Sequence, residues 1–256
     1  MKRKLVVANW KMYIESPDEA KKFTSSLRRK NRLFSGVDVV IAPPYTLLPT
    51  VFAGFKGSNI RAAGQAISQY DGGAHTGYIS AAMLKKAGAA FVIVGHSERR
   101  AAGETSEMIR AQLVAAANEG LMAILCVGEQ ERDTSGTYFS HITEQISSAL
   151  QGFPKAEAHK LIIAYEPVWA IGKNAAAAVQ TYELREMSIF IKKTLADIFE
   201  RKAALSVPIL YGGSVEGSNA ESLITDGDVA GFLVGHASAE VDTFVDILKA
   251  VRGHGK

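Results

Sequence analysis

The chain has 256 residues, 47% hydrophobic and 21% charged, with 29 lysines and arginines against 26 aspartates and glutamates, giving a formal net charge of +3. This composition is ordinary for a globular protein; the excess charge suits a small anionic ligand but, without a basic stripe, argues against a nucleic-acid partner. No apolar run approaches the roughly 20 residues of a membrane helix, the apolar stretch after the basic residues 2–4 is shorter than a signal-peptide core, and Cys126 has no second cysteine to pair with, so a soluble, cytoplasmic protein is expected.

Short apolar runs read as strands at residues 5–9, 37–42, 60–64, 91–94, 121–127, 161–165, 207–211 and 229–234. Runs this apolar imply burial on both faces. Between them, segments 17–30, 106–119, 141–150, 179–199 and 240–251 mix apolar and charged residues at helical spacing. Ser16, Pro17 and Glu19 supply an N-cap, a first-turn proline and the glutamate of a capping box, while Gly88 and Gly120 mark helix ends. The order is βα repeated, with no linker or low-complexity segment, so residues 1–256 are expected to form one domain. Eight such strands suit a closed parallel β/α barrel better than an open doubly wound sheet, and α/β barrels of about 250 residues are common. A dinucleotide enzyme built on an open sheet would need G-x-G-x-x-G after an early strand, which is absent, as is the P-loop pattern.

Ligands of parallel sheets bind at the carboxyl ends of strands, so polar residues there carry the functional reading. Asn9, Trp10 and Lys11 follow the first strand; Lys11 is either a snorkelling side chain or a fixed positive charge for an anion. After the fourth comes GHSERR, in which His96 is either bonded structurally to backbone or an acid–base group. Cys126, inside LMAILCV, reads as a small buried hydrophobe. Glu166 leaves the sixth strand in AYEPVWAIG, where Pro167 forbids direct passage into helix and forces a loop; it is a solvated surface glutamate or a catalytic base. YGGSV and VGHAS follow the last two strands, as tight turns or as backbone cradles for phosphate. No histidine and carboxylate cluster has metal-ligand spacing.

Taken together, NWKM at 9–12, GHSERR at 95–100, CVGE at 126–129, AYEPVWAIG at 164–172 and YGGSV at 211–215 resemble the triosephosphate isomerase family across nearly the whole chain. The resemblance implies its eight-stranded (TIM) barrel, interconversion of dihydroxyacetone phosphate and D-glyceraldehyde 3-phosphate, no organic cofactor or metal, and a homodimer. It implies Glu166 as the base, Lys11 and His96 as stabilisers of the enediolate oxygens, and Asn9 as an aid in positioning them. As in that family, the imidazole would be neutral, with a helix turn at 97–99 supplying the N-terminus that keeps it so. Phosphate contacts carry over to the backbone of Gly172, Ser214, Gly235 and His236, and residues 167–177 to the family's lid. The set Lys11, His96 and Glu166 argues against a sugar-phosphate epimerase, and against a non-catalytic binding barrel, which would be expected to lose one of the three. The chain departs from the family pattern at His236, in place of a second glycine, at the lid tip with Lys173, Asn174 and an alanine run, and at Tyr78, where an acidic residue usually faces Arg99 beside the dimer-loop residues Thr76 and Gly77.

Overall fold

The computed structural model describes residues 3–172 and 179–253. Eight strands, β1 (Leu5–Asn9), β2 (Asp38–Ala42), β3 (Arg61–Gly64), β4 (Ala89–Val94), β5 (Met122–Val127), β6 (Leu161–Tyr165), β7 (Ile209–Tyr211) and β8 (Gly231–Val234), pair in chain order. All pairings are parallel, and β8 closes on β1 with Leu5 opposite Gly231 and Ala8 opposite Val234. At that seam a Cβ on residue 231 would stand 1.7 Å from the Leu5 carbonyl oxygen, so the barrel closes there only over glycine.

Alternation along the strands divides the core in two. Val7, Val40, Phe91, Ile124, Ile162 and Leu210 fill the barrel interior, whereas Val6, Ala8, Val39, Ile41, Val92 and Ile163 pack outward against the helices. Burial on both faces is why these strands are continuously apolar in sequence. The helical layer comprises α1 (Pro17–Arg29), α2 (Leu48–Phe55), α3 (Ala81–Lys86), α4 (Ser97–Ala101), α5 (Ser106–Asn118), α6 (Thr137–Ala149), α7 (Thr181–Ala196), α8 (Arg201–Ser206), α9 (Ala220–Asp226) and α10 (Val241–Arg252). Helix α1 begins as its sequence requires: the Glu19 N–H donates to Ser16 Oγ at 3.2 Å and the Glu19 carboxylate accepts from the Ser16 N–H at 3.0 Å. Gly88 and Gly120, just beyond α3 and α5, take φ of +96° and +68°.

Several element boundaries differ from those expected of the sequence. The segment 179–199 is shorter as a helix: Glu183 accepts from the Gln180 N–H at 2.9 Å and fixes the start of α7, and the chain turns again after Ala196 before α8. Helix α6 starts at Thr137 rather than 141, because Gly136 takes φ of +76° and Asp133 accepts from the Thr137 N–H at 3.1 Å. Bonds from Ser135 and Thr137 hold the Asp133 carboxyl well below the usual carboxylate range. Helices α2, α3, α8 and α9 were not anticipated. The lid-tip residues Lys173, Asn174 and the following alanines lie outside the described residues.

Candidate active site

The first strand ends at Asn9, whose Oδ1 accepts the Lys11 N–H at 3.1 Å and so bends the chain into a tight turn. Lys11 takes φ of +46°, a left-handed conformation that costs an L-residue on the order of 1 kcal/mol or more. Gln65, the residue after β3, braces the turn by donating from Nε2 to the Lys11 carbonyl at 3.0 Å and to the Ala42 carbonyl at 2.9 Å. So braced, the Lys11 ammonium reaches across the barrel mouth to Glu98, with Nζ 2.6 Å from the carboxylate.

His96 occupies the cap position of α4. Its Nδ1 accepts the Glu98 backbone N–H at 3.2 Å, and a nitrogen that accepts carries no proton. The ring is therefore neutral with its proton on Nε2, which faces Glu166 Oε1 at 3.3 Å. The other carboxylate oxygen of Glu166 accepts the Ser97 N–H at 3.2 Å. Both side chains are buried, His96 at 7% and Glu166 at 2% exposure. A carboxylate this deep is tolerable because donors surround it. Gly212 leaves space for it, since a Cβ there would lie 2.7 Å from Glu166 Cγ. Arg100 ties this turn to β5 by donating to the carbonyls of Gly95 at 2.8 Å and Cys126 at 3.1 Å. Burial, and then the neighbouring Glu166, push the Cys126 thiol well above its usual pKa, consistent with a packing role.

Beneath the segment that follows Glu166 sits a second buried carboxylate, Glu129. One of its oxygens accepts from the Tyr165 hydroxyl at 2.8 Å, the Trp169 indole at 2.9 Å and Arg132 Nε at 3.2 Å. Arg132 continues to Glu183 at 3.1 Å. Burial first, and then Glu129, raise Tyr165 far above an ordinary phenol, so it remains a donor. Burial alone would lower Arg132, but Tyr165, Glu129 and Glu183 outweigh it and raise the guanidinium. The cluster fixes both ends of the 165–169 stretch to the segment that follows β5.

Asn9, Lys11, His96, Glu166, Gly172, Ser214, Gly235 and His236 all line one cavity of about 570 Å³ at the carboxyl-terminal mouth. Ser214 Oγ donates to the Ala170 carbonyl at 3.0 Å, joining the loops after β6 and β7. Among non-glycine described residues only Lys11 and Asp228 have positive φ, so the backbone at 236 does not require glycine; its exposed ring lies edge-on to Tyr13 at 4.9 Å. Gln65, Glu98, Glu129 and Arg132 were not singled out from sequence, although three follow strand ends or sit within the motifs quoted above. Among the described residues no group of three or more His, Cys, Asp or Glu side chains is placed to hold a metal ion.

A buried carboxylate against a neutral imidazole, with a lysine at the rim and glycine-rich turns opposite, fits the acid–base, anion-binding class of β/α-barrel enzymes. The family model described as triosephosphate isomerase matches residues 4–251. A triosephosphate isomerase of Geotalea uraniireducens is 39% identical over 97% of this chain and 99% of its own, and that of Carboxydothermus hydrogenoformans 41% identical over the same shares. The crystal structure of triosephosphate isomerase from Bartonella henselae superposes with a TM-score of 0.85 at 35% identity, covering 98% of this chain and 99% of that one. The chain belongs to the triosephosphate isomerase family.

Proposed function

We propose that Glu166, His96 and Lys11 divide the work of interconverting dihydroxyacetone phosphate and D-glyceraldehyde 3-phosphate, the reaction of this enzyme family. Glu166 takes a proton from the carbon beside the carbonyl, the pair of electrons left behind moves onto oxygen, and the same carboxyl returns a proton to the adjacent carbon. His96, donating from Nε2, and Lys11, through its charge, stabilise the oxygens as the negative charge develops. Asn9 holds Lys11 in place, and the backbone N–H groups at Gly172, Ser214, Gly235 and His236 take the phosphate. The observation carrying this reading is the 3.3 Å approach of His96 Nε2 to Glu166 with Nδ1 occupied by the Glu98 N–H: base and proton donor lie side by side in a buried site.

A coupled assay on metal-stripped protein, run in deuterated water, tests it. The expected result is isomerisation with solvent deuterium appearing on the carbon that receives the proton. Absence of both turnover and exchange would overturn the assignment.

The same reading extends to one catalytic domain over residues 1–256, to the cytoplasm, and to a homodimer. Supporting the dimer, exposed apolar side chains gather on the segments after the first three strands: Met12, Tyr13, Tyr45, Tyr70, Tyr78 and Met83. Tyr70 stacks on His75 at 3.6 Å with Tyr78 edge-on to both, and Arg99 pairs within its own chain with Glu104 at 3.3 Å. Sedimentation at micromolar concentration should give a dimer; a fully active monomer would refute that part. Among the described residues no helix is long and apolar enough to cross a membrane.

A further inference from the structure

Where the strands begin, the barrel opens into another cavity of about 790 Å³, larger than the one at the active-site end. Its floor is the first layer of the barrel interior, with Leu5, Phe91 and Ile162 among its residues. Its walls carry Arg3, Lys4, Arg61 and Lys192 against two carboxylates, Asp38 and Asp228, so four positive charges less two negative leave two unmatched. His159, also at the edge, lies 3.8 Å from Glu157.

The pairing is incomplete in geometry as well. Arg3 and Arg61 share Asp38 at 3.8 and 3.7 Å, both beyond hydrogen-bond length, while Lys192 meets Asp228 at 3.0 Å. Lys4 donates to the Val229 carbonyl at 2.8 Å, and among the described residues no carboxylate oxygen stands within 4.0 Å of its ammonium. An ammonium has three protons to place, and burial lowers the pKa of this one, partly offset by Asp228. The Arg61 guanidinium lies 4.7 Å over the Phe91 ring, so cation and apolar floor are already in contact. Leu205, 56% exposed, and Pro208 extend the apolar wall outward. A cluster serving stability alone gains most from matched charges and filled space; here cationic donors are in excess around an open apolar floor.

We propose that this amino-terminal mouth is a second binding site, for a small organic anion with an apolar body, whose carboxylate or phosphate is held by Lys4, Arg61 and Lys192 while its body covers Leu5, Phe91 and Ile162. The triose phosphates are not its ligands, since they carry no apolar body to cover that floor.

The probe is 1-naphthoate, titrated calorimetrically into the full chain with the active site saturated by 2-phosphoglycolate, whose carboxylate and phosphate mimic the enediolate. One saturable site with a Kd below about 1 mM is expected. Lys192→Gln and Arg61→Gln, each verified as folded by circular dichroism and thermal unfolding, should each weaken it by about tenfold, the loss expected for one charge-assisted contact. Inorganic phosphate should bind there more weakly than naphthoate. Three outcomes overturn the proposal: no saturable heat in the millimolar range, unchanged affinity in both folded variants, or a naphthoate signal present without 2-phosphoglycolate but lost once the active site is saturated with it, which would put the probe in the active site. Equal affinity for phosphate and naphthoate would also overturn it, because the floor would then contribute nothing.

Discussion

The two mouths of this barrel hold charge in opposite ways. At the carboxyl-terminal mouth the two buried groups proposed to act on the substrate are anchored to backbone, Glu166 to the Ser97 N–H and His96 to the Glu98 N–H, while the turn that carries the half-buried Lys11 is held by the Asn9 and Gln65 side chains. At the amino-terminal mouth the charges ride on long side chains, and Arg3 and Arg61, 60% and 42% exposed, hover around one aspartate without a true hydrogen bond. Backbone anchoring fixes direction to within a fraction of an ångström, as proton transfer requires, whereas loosely shared carboxylates supply field without direction. The difference also explains why a βα barrel keeps chemistry at one end: strands terminate there in loops free to turn polar groups inward.

The sharpest way to break this contrast is Glu166→Gln, which should leave the circular dichroism spectrum intact and cut turnover by at least about 10² to 10⁴, the usual contribution of a general base. Near-normal turnover would mean that anchoring at this mouth is structural only. Lys11→Met should lower kcat/KM by about 10², as expected for a lost electrostatic stabiliser, and weaken competitive inhibition by inorganic phosphate. If both were unchanged, the proposed anion site would be misplaced.

Gln65→Ala probes the brace rather than the chemistry. It leaves the Lys11 and Ala42 carbonyls without that donor, and should cost about 1 to 3 kcal/mol in urea unfolding together with a drop in kcat/KM of about tenfold. A loss of stability with unaltered kinetics would show that the turn needs no brace to aim the lysine.

Cys126 gives a test in pH. Because its folded-state pKa is raised, the native thiol stays protonated while the unfolded one ionises above about 8.5, so stability should decline as pH climbs past that value, by at most about 1.4 kcal/mol per unit. Thermal unfolding between about pH 7.5 and 9.5 should show a slope that is reduced in Cys126→Ala. Equal slopes would assign the decline to other groups. The smallest effect belongs to the opposite mouth: Asp38→Asn should change unfolding free energy by no more than about 1 kcal/mol, as befits partly exposed, distant pairs. A larger loss would show that those pairs are better organised than their distances imply.

How much of this was legible in sequence depended on how local each signal is. The eight strands were recognisable because two-sided burial makes them largely apolar, and Lys11, His96 and Glu166 stood out as titratable residues just beyond such runs. Helices α2, α3, α8 and α9, of 8, 6, 6 and 7 residues, are too short for a period of 3.6 to repeat convincingly. Gln65 escaped because its acceptors lie 54 and 23 residues away, at the ends of two other strands. Glu129 ends the quoted motif CVGE, yet its three donors come from Arg132, Tyr165 and Trp169, which only the β5–β6 pairing brings together. At His236 the departure from glycine was plain in sequence, but whether the backbone demanded glycine was not; the ordinary φ there makes the replacement nearly free.

The left-handed turn at Lys11 sets adaptation for activity against adaptation for durability. Glycine would occupy φ of +46° without strain, so replacing the lysine should release on the order of 1 kcal/mol while removing the ammonium from the site. A laboratory lineage selected only for survival on heating would therefore gain by discarding Lys11, arriving at a sturdier barrel with an impaired isomerase. Persistence of lysine at this position under such selection requires that activity be selected as well.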